Sequence, residues 1–262
     1  MKSYRYSGAG NSFVMMDIRA IDAARFRSAA MVRSLCSLNS TDGLILIDAA
    51  KDADFRMEFY NPDGTSGMMC GNGGRCTVAF ADLLGIHPAA ADGVYRFEAP
   101  DGIHTGKILS HMGETKSVVI SMGDVDGYER HPEGLFLNTG TRHFVVWVPD
   151  AEAIDIAAEG PVLRHDARFA PEGTNVNFVT RMADGRLRVR TFEKGVEAET
   201  LSCGTGSVAS ALAAAIEDGV SGEGSYTVLA STGDTLTIDF NRSGDRFTDV
   251  RLTGPTLCEG EL

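Results

Sequence analysis

The chain lacks several features that would assign it quickly. It has no CxxC pair, and its five cysteines, Cys36, Cys70, Cys76, Cys203 and Cys258, are an odd number, so they cannot all pair. A zinc knuckle needs closer thiol spacing than Cys70 to Cys76 provides, so no metal site is expected. No apolar run approaches bilayer length; the longest, from Val208 to Ile216, is far too short to span. The start, from Met1 to Gly8, has no apolar core of signal-peptide length. Positive charge is scarce: the net charge is −12, which repels phosphate backbones and argues against nucleic-acid binding. There is no P-loop Lys-Ser/Thr and no complete GxGxxG, so phosphate and dinucleotide sites are not indicated. These absences lead us to expect a cytoplasmic protein whose cysteines are thiols.

What is abundant is glycine, 30 residues in 262, and much of it is patterned. Cys70-Gly71-Asn72-Gly73-Gly74 and Cys203-Gly204-Thr205-Gly206-Ser207 both read C-G-x-G-small, at an offset of 133 residues from 70 to 203. Phe59 and Phe192 keep that offset, as do Thr41-Asp42 and Thr174-Asn175. Phe13-Val14 with Phe144-Val145, and Gly123 with Gly254, keep one of 131. Ordered matches of this kind indicate a duplication. We expect domains at 1–123 and 124–251, with 252–262 returning to the first.

Each half reads as strand, strand, strand, helix, strand, strand. Phe13–Met16, Leu44–Ile47 and Phe55–Phe59 have strand character, as do Phe144–Val148, Leu187–Phe192 and Leu236–Phe240. Val208, Ala211, Leu212, Ala215 and Ile216 recur at helical spacing, and Gly85 and Gly219 supply stops. A helix this apolar is buried on most sides. The expected fold is α+β: two pseudo-symmetric domains, each a curved, mostly antiparallel sheet or barrel around a central helix, with the active site in the cleft between them.

Each cysteine stands just before a helix start, where backbone N–H groups carry partial positive charge. That setting lowers a thiol pKa and holds a carboxylate. A lone cysteine before glycine is ordinarily a packing residue. Two, duplicated and both at helix starts, suit a different task. Inverting a stereocentre without a cofactor needs a base on one face and an acid on the other. Cys36 and Cys76 lack the setting and are expected to be core thiols.

These residues resemble diaminopimelate epimerase along nearly the whole chain. Gly8-Ala9-Gly10-Asn11-Ser12-Phe13 is similar to the family's opening G-x-G-N-D-F. Asn61-Pro62-Asp63-Gly64-Thr65 with Cys70 through Cys76 resembles its first active-site block, and Phe192-Glu193-Lys194-Gly195 with Glu199 through Gly206 its second. The resemblance implies a pyridoxal-independent isomerase that converts LL- to meso-diaminopimelate for lysine and peptidoglycan precursors. It implies Cys70 and Cys203 as the acid–base pair, and Gly71-Asn72 and Gly204-Thr205 as backbone donors to the α-carboxylate. Glu193 would bind the α-ammonium group, His143 would sit near the reacting centre, and Asn11, Asn61, Thr141, Asn175 and Lys194 would line the substrate site. No metal or cofactor is implied, and the partner is a small amino-acid substrate, with a homodimer the expected assembly.

The chain departs from the family at several points. Ser12 replaces the usual Asp, and Thr141-Arg142-His143 replaces Asn or a small hydroxyl residue, then Pro, before the histidine. Lys194 replaces the Arg that grips the distal carboxylate, which keeps charge and loses the bidentate fork; Arg142 is a candidate replacement. The segment 256–262 lacks the aromatic that commonly anchors the family's dimer. Three alternatives stay open at this point: a two-cysteine racemase of histidine or proline type, a PhzF-like isomerase, and a non-catalytic amino-acid-binding homologue. Asn72, where proline racemases have His, lowers the proline reading.

Overall fold

The computed structural model describes residues 2–262, which form two compact units. One comprises residues up to 121 together with 253–262; the other comprises 122–252.

The first unit begins with a hairpin, β1 (Ser3–Gly8) and β2 (Asn11–Asp17), turned through Ala9 and Gly10, both at positive φ. Helix α1 (Ala29–Asn39) follows, capped by the Ser28 hydroxyl, which accepts from Met31 N. It leads to β3 (Gly43–Asp48), which pairs parallel with β2. Strand β4 (Phe55–Tyr60) returns antiparallel. Helix α2 (Gly71–Leu83) then crosses to β5 (Tyr95–Ala99), parallel with β4, and β6 (Gly102–Met112) and β7 (Thr115–Ser121) extend the meander. Residues 254–257 pair with β7, and 257–261 pair with β1. The strand order therefore closes on itself, which leaves this sheet without the open edges that invite mispairing. Helix α2 lies inside, every residue from Gly71 to Ala81 buried, against strands from both sides of the ring.

The second unit holds β8 (Val125–Asp126), β9 (Glu129–His131), β10 (Gly134–Asn138) and β11 (Arg142–Trp147). Helix α3 (Ile156–Arg164) leads to β12 (Asn175–Arg181), parallel with β11. Then come β13 (Leu187–Glu193), β14 (Ala198–Thr200), α4 (Gly204–Glu217), β15 (Gly222–Leu229) and β16 (Thr235–Ser243). Strand β13 pairs antiparallel with β12 and parallel with β15, and β15 pairs antiparallel with β16. Helix α4 packs against β10 through β13, β15 and β16, with Val208, Leu212 and Ile216 buried. Burying each such side chain contributes roughly 1.5–3 kcal/mol. The last strand, β17 (Arg246–Glu261), gives its early residues to this unit, where Arg246 and Phe247 pair with β8, and its late residues to the first.

Both units are thus α+β, each with a mostly antiparallel sheet around one buried helix. The expected order of elements needs correction. The structure adds strands ahead of the first expected one in each half, β1 in the first and β8 to β10 in the second, and a helix, α1 or α3, after it, followed in the second half by the further strand β12. The parallel pairings β2–β3 and β11–β12 require those helices, because a parallel neighbour is reached only by a crossover. Their sequences hide them: α1 buries only Val32 and Cys36, and α3 carries Gly160 and Pro161. Strand β11 also stops at Trp147, short of Val148. Among the described residues no helix is long and apolar enough to cross a membrane.

Candidate active site

Cys70 is the N-cap of α2 and Cys203 the N-cap of α4, both with extended backbone (φ −103° and −120°). The first helical bonds are alike, Gly74 N to Cys70 O at 2.7 Å and Ser207 N to Cys203 O at 2.8 Å. Residues 71–73 and 204–206 are therefore first-turn N–H groups without an i−4 partner in the helix. Both cysteines are partly buried, whereas Cys36 and Cys76 are fully buried, as expected of core thiols. Burial pushes the Cys76 thiol up to about 12 and also raises Cys36.

Around α2, the Asn72 amide nitrogen donates to Asn11 Oδ1 at 2.7 Å, so the glycine turn before β2 is tied to the helix start. Arg75 donates from Nη2 to Asn72 Oδ1 at 2.8 Å and from Nη1 to Gly71 O at 3.2 Å. The Arg75 guanidinium is fully buried, and it fixes which way the Asn72 amide points. Asn61 serves a turn instead: its Nδ2 donates to Thr65 Oγ1 at 3.0 Å, and its backbone N to Thr65 O at 2.9 Å. No hydrogen bond joins it to the Asn11–Asn72 pair.

Around α4, the Cys203 sulfur accepts from Gly206 N at 3.4 Å and lies 3.4 Å from Thr205 Oγ1. Thr205 Oγ1 is 2.9 Å from His143 Nε2, and Asn177 Nδ2 is 3.0 Å from His143 Nδ1. Burial, reinforced by the Lys194 charge, lowers His143 to about 3, so its imidazole is neutral at physiological pH. Asn175 joins the remaining residues: its Nδ2 donates to Thr141 Oγ1 at 3.1 Å and Arg142 O at 2.9 Å, and its Oδ1 accepts from Lys194 N at 2.8 Å. Glu193 ends β13 beside them, and burial pushes its carboxyl above the usual range. Arg142 is engaged locally: its Nη1 donates to Glu172 at 2.7 Å and Phe169 O at 3.1 Å, and the guanidinium covers Phe136.

Beside Cys203, glycine is needed at 206. A Cβ there would lie 2.4 Å from Asn177 Oδ1 and 3.2 Å from Cys203 Cβ. Among the described residues no cluster of three or more His, Cys, Asp or Glu is arranged to hold a metal ion. Sequence reasoning missed Arg75, Thr139, Asn177 and Thr191. Thr139 donates to Thr205 O at 2.9 Å and Thr191 to Asn177 Oδ1 at 2.9 Å. The available signal was polar side chains at inward positions: Asn177 two residues after Asn175 on a strand, and an arginine set among the small residues of a helix start.

The diaminopimelate epimerase family model matches residues 3–126 and 135–256. The diaminopimelate epimerase of Flavobacterium psychrophilum is 36% identical over 258 residues, covering 97% of this chain and 96% of that protein. Its namesake in Chlorobaculum tepidum is 38% identical over 253 residues, covering 95% of each. Solved structures share the fold at low identity. The Bacillus anthracis phenazine biosynthesis protein of the PhzF family has a TM-score of 0.74 at 15% identity, over 100% of this chain and 98% of that one. A hydroxyproline epimerase from Agrobacterium vitis has a TM-score of 0.69 at 18% identity, over 100% and 91%. Two cysteine-capped buried helices, set in a sequence similar to these relatives from end to end, place the chain in the diaminopimelate epimerase family.

Proposed function

We propose that this protein epimerises LL-2,6-diaminopimelate to the meso isomer with two thiols and no cofactor, serving lysine and peptidoglycan precursor synthesis in the cytoplasm. The observation that carries the reading is the pair of half-buried cysteines, each capping a buried glycine-rich helix start, in a chain of this family. One sulfur, as thiolate, takes the α-proton and becomes a thiol. The other, as thiol, gives its proton to the opposite face and becomes a thiolate. Charge developing on the α-carboxylate is met by first-turn N–H groups of Gly71-Asn72 and Gly204-Thr205, donors fixed before the reaction begins. The two units then act as two epimerase domains, one carrying Cys70 and the other Cys203.

In the same reading Glu193 holds the α-ammonium group, Asn11 and Asn61 contact substrate from the first unit, and Thr141 and Asn175 from the second. Lys194 meets the distal carboxylate as a point charge. His143 stays neutral and acts through the hydroxyl of Thr205. The assembly in this reading is a homodimer that does not bind nucleic acid.

Proton NMR of LL-diaminopimelate with the reduced protein in D2O tests the reading. Loss of the α-proton signal with appearance of the meso isomer is the expected result. No exchange in a folded, reduced sample, together with exchange on another L-amino acid such as histidine, overturns the substrate and points to Lys194.

A further inference from the structure

A buried polar chain in the second unit ends on one of the two cysteines. Thr191 and Asn177 stand directly opposite each other on β13 and β12. The Thr191 hydroxyl donates to Asn177 Oδ1, which turns the amide nitrogen toward His143. Asn177 and His143 are both wholly buried. An amide nitrogen only donates, so His143 Nδ1 accepts and the ring proton sits on Nε2. Nε2 then donates to Thr205 Oγ1 at 2.9 Å. The one proton of the Thr205 hydroxyl is left for the Cys203 sulfur, 3.4 Å away, which Gly206 N approaches at the same distance. Donors aimed at a sulfur favour its thiolate. Gly206 lies close against Asn177 Oδ1, the atom that accepts from Thr191. Lys194 is the charged neighbour that acts on His143, and it works against a second positive charge there.

We propose that Asn177, supported by Thr191, is a positioning residue: it sets the tautomer of His143 and so aims the Thr205 hydroxyl proton at the Cys203 sulfur. The proposal rests on the reading of Cys203 as one of the two acid–base groups. Asn177 bonds to the His143 ring. It acts through the ring, and its effect belongs in the protonation equilibrium of Cys203 rather than in substrate affinity.

The test uses the full, reduced protein labelled with nitrogen-15 histidine. Ring-nitrogen shifts report the His143 tautomer, and iodoacetamide labelling followed by peptide mass spectrometry reports Cys203 reactivity against pH. In the wild type the ring proton is expected on Nε2. In Asn177→Asp the carboxylate only accepts, so the ring proton moves to Nδ1 and Thr205 turns its proton to Nε2. The Cys203 midpoint then rises, with about tenfold slower labelling at a fixed pH below it, as a shift of one pH unit implies. Thr191→Val, an isosteric change, should move the midpoint in the same direction by less. Thr205→Val separates the chain from the bare charge of the aspartate: in that background the Asn177→Asp shift should vanish. A shift that persists there, an Nδ1 proton in the wild type, or an unmoved midpoint in both Asn177→Asp and Thr191→Val overturns the proposal. These readouts need no substrate. The expected shifts without α-hydrogen exchange on diaminopimelate would sustain the chain and remove the substrate reading.

Discussion

The two cysteine-capped helices reach one backbone geometry with different chemistry. Hydroxyls bond back at matched positions, Thr77 to Gly73 O at 2.8 Å and Ser210 to Gly206 O at 2.7 Å. Both helices end at a left-handed glycine, Gly85 or Gly219, with Ile86 N on Ala81 O and Val220 N on Ala215 O. The difference lies beside the cysteines. Helix α2 buries a permanent cation, Arg75, where α4 has Val208 at the same place in the duplication, and both are fully buried. Ile45 leans on Gly73, while Asn177 leans on Gly206. Duplication preserved the helix start and left its electrostatics free to diverge. One helix start is braced by a fixed charge, and the other carries a neutral chain with a titratable ring in its middle.

Replacing either thiol should have the largest effect. Cys70→Ala and Cys203→Ala are each expected to lower epimerisation by at least about a hundredfold, the usual loss for a general acid or base. Wild-type turnover in either would break the symmetry of roles. Next, Arg75→Met deprives buried Asn72 Oδ1 and Gly71 O of a charged donor, and should lower stability in urea by roughly 1.5–3 kcal/mol. A loss well under about 1 kcal/mol would mean that Asn72 and Gly71 do not depend on the charged donor.

Acid should act through the second unit. His143 is depressed below the roughly 6.5 of an unfolded histidine, so the unfolded chain binds a proton first as pH falls. Its contribution is complete above about pH 6.5 and is lost progressively toward about 3, amounting to roughly 2 kcal/mol by pH 5 at about 1.4 kcal/mol per unit. Glu193, raised by burial, works in the opposite direction over its own range. Urea midpoints against pH should therefore fall on the acid side in the wild type and fall less in His143→Gln. The smallest effect separates matched glycines. Gly206→Ala meets Asn177 Oδ1 at 2.4 Å and should cost about 1–3 kcal/mol. Gly73→Ala meets Ile45 Cδ1 at 3.1 Å and Met57 Cε at 3.3 Å, flexible tips, with Cys70 Cβ at an ordinary 3.5 Å, and should stay within about 1 kcal/mol of wild type. Equal costs would mean that the two starts are cramped alike.

Much of this was legible in the sequence for a physical reason. Both copies of C-G-x-G open a buried helix, and the short apolar run Leu44–Ile47, half of it β-branched isoleucine, reads as a strand. Helices α1 and α3 were hidden because each buries a narrow stripe, and Pro161 and Gly160 read as a turn. The residues around the sulfurs were harder. His143 was found through resemblance, but its partners Asn177 and Thr191 became visible only through strand register, which puts them opposite one another. Arg75 was misleading in another way: a charged residue is expected at a surface, and this one is fully buried because Asn72 and Gly71 offer it oxygen atoms.

Strand β17 has a consequence for biosynthesis. The second unit, 122–252, is continuous in the chain and can complete itself as soon as that stretch has left the ribosome. The first unit, although it is made first, waits for residues 253–262 to seal the gap between β1 and β7. At roughly 5–20 residues per second its ring stays open for several seconds, with two unsatisfied strand edges exposed to other nascent chains. The order of synthesis and the order of completion are therefore reversed, and the interval between them is when this protein is most exposed to aggregation.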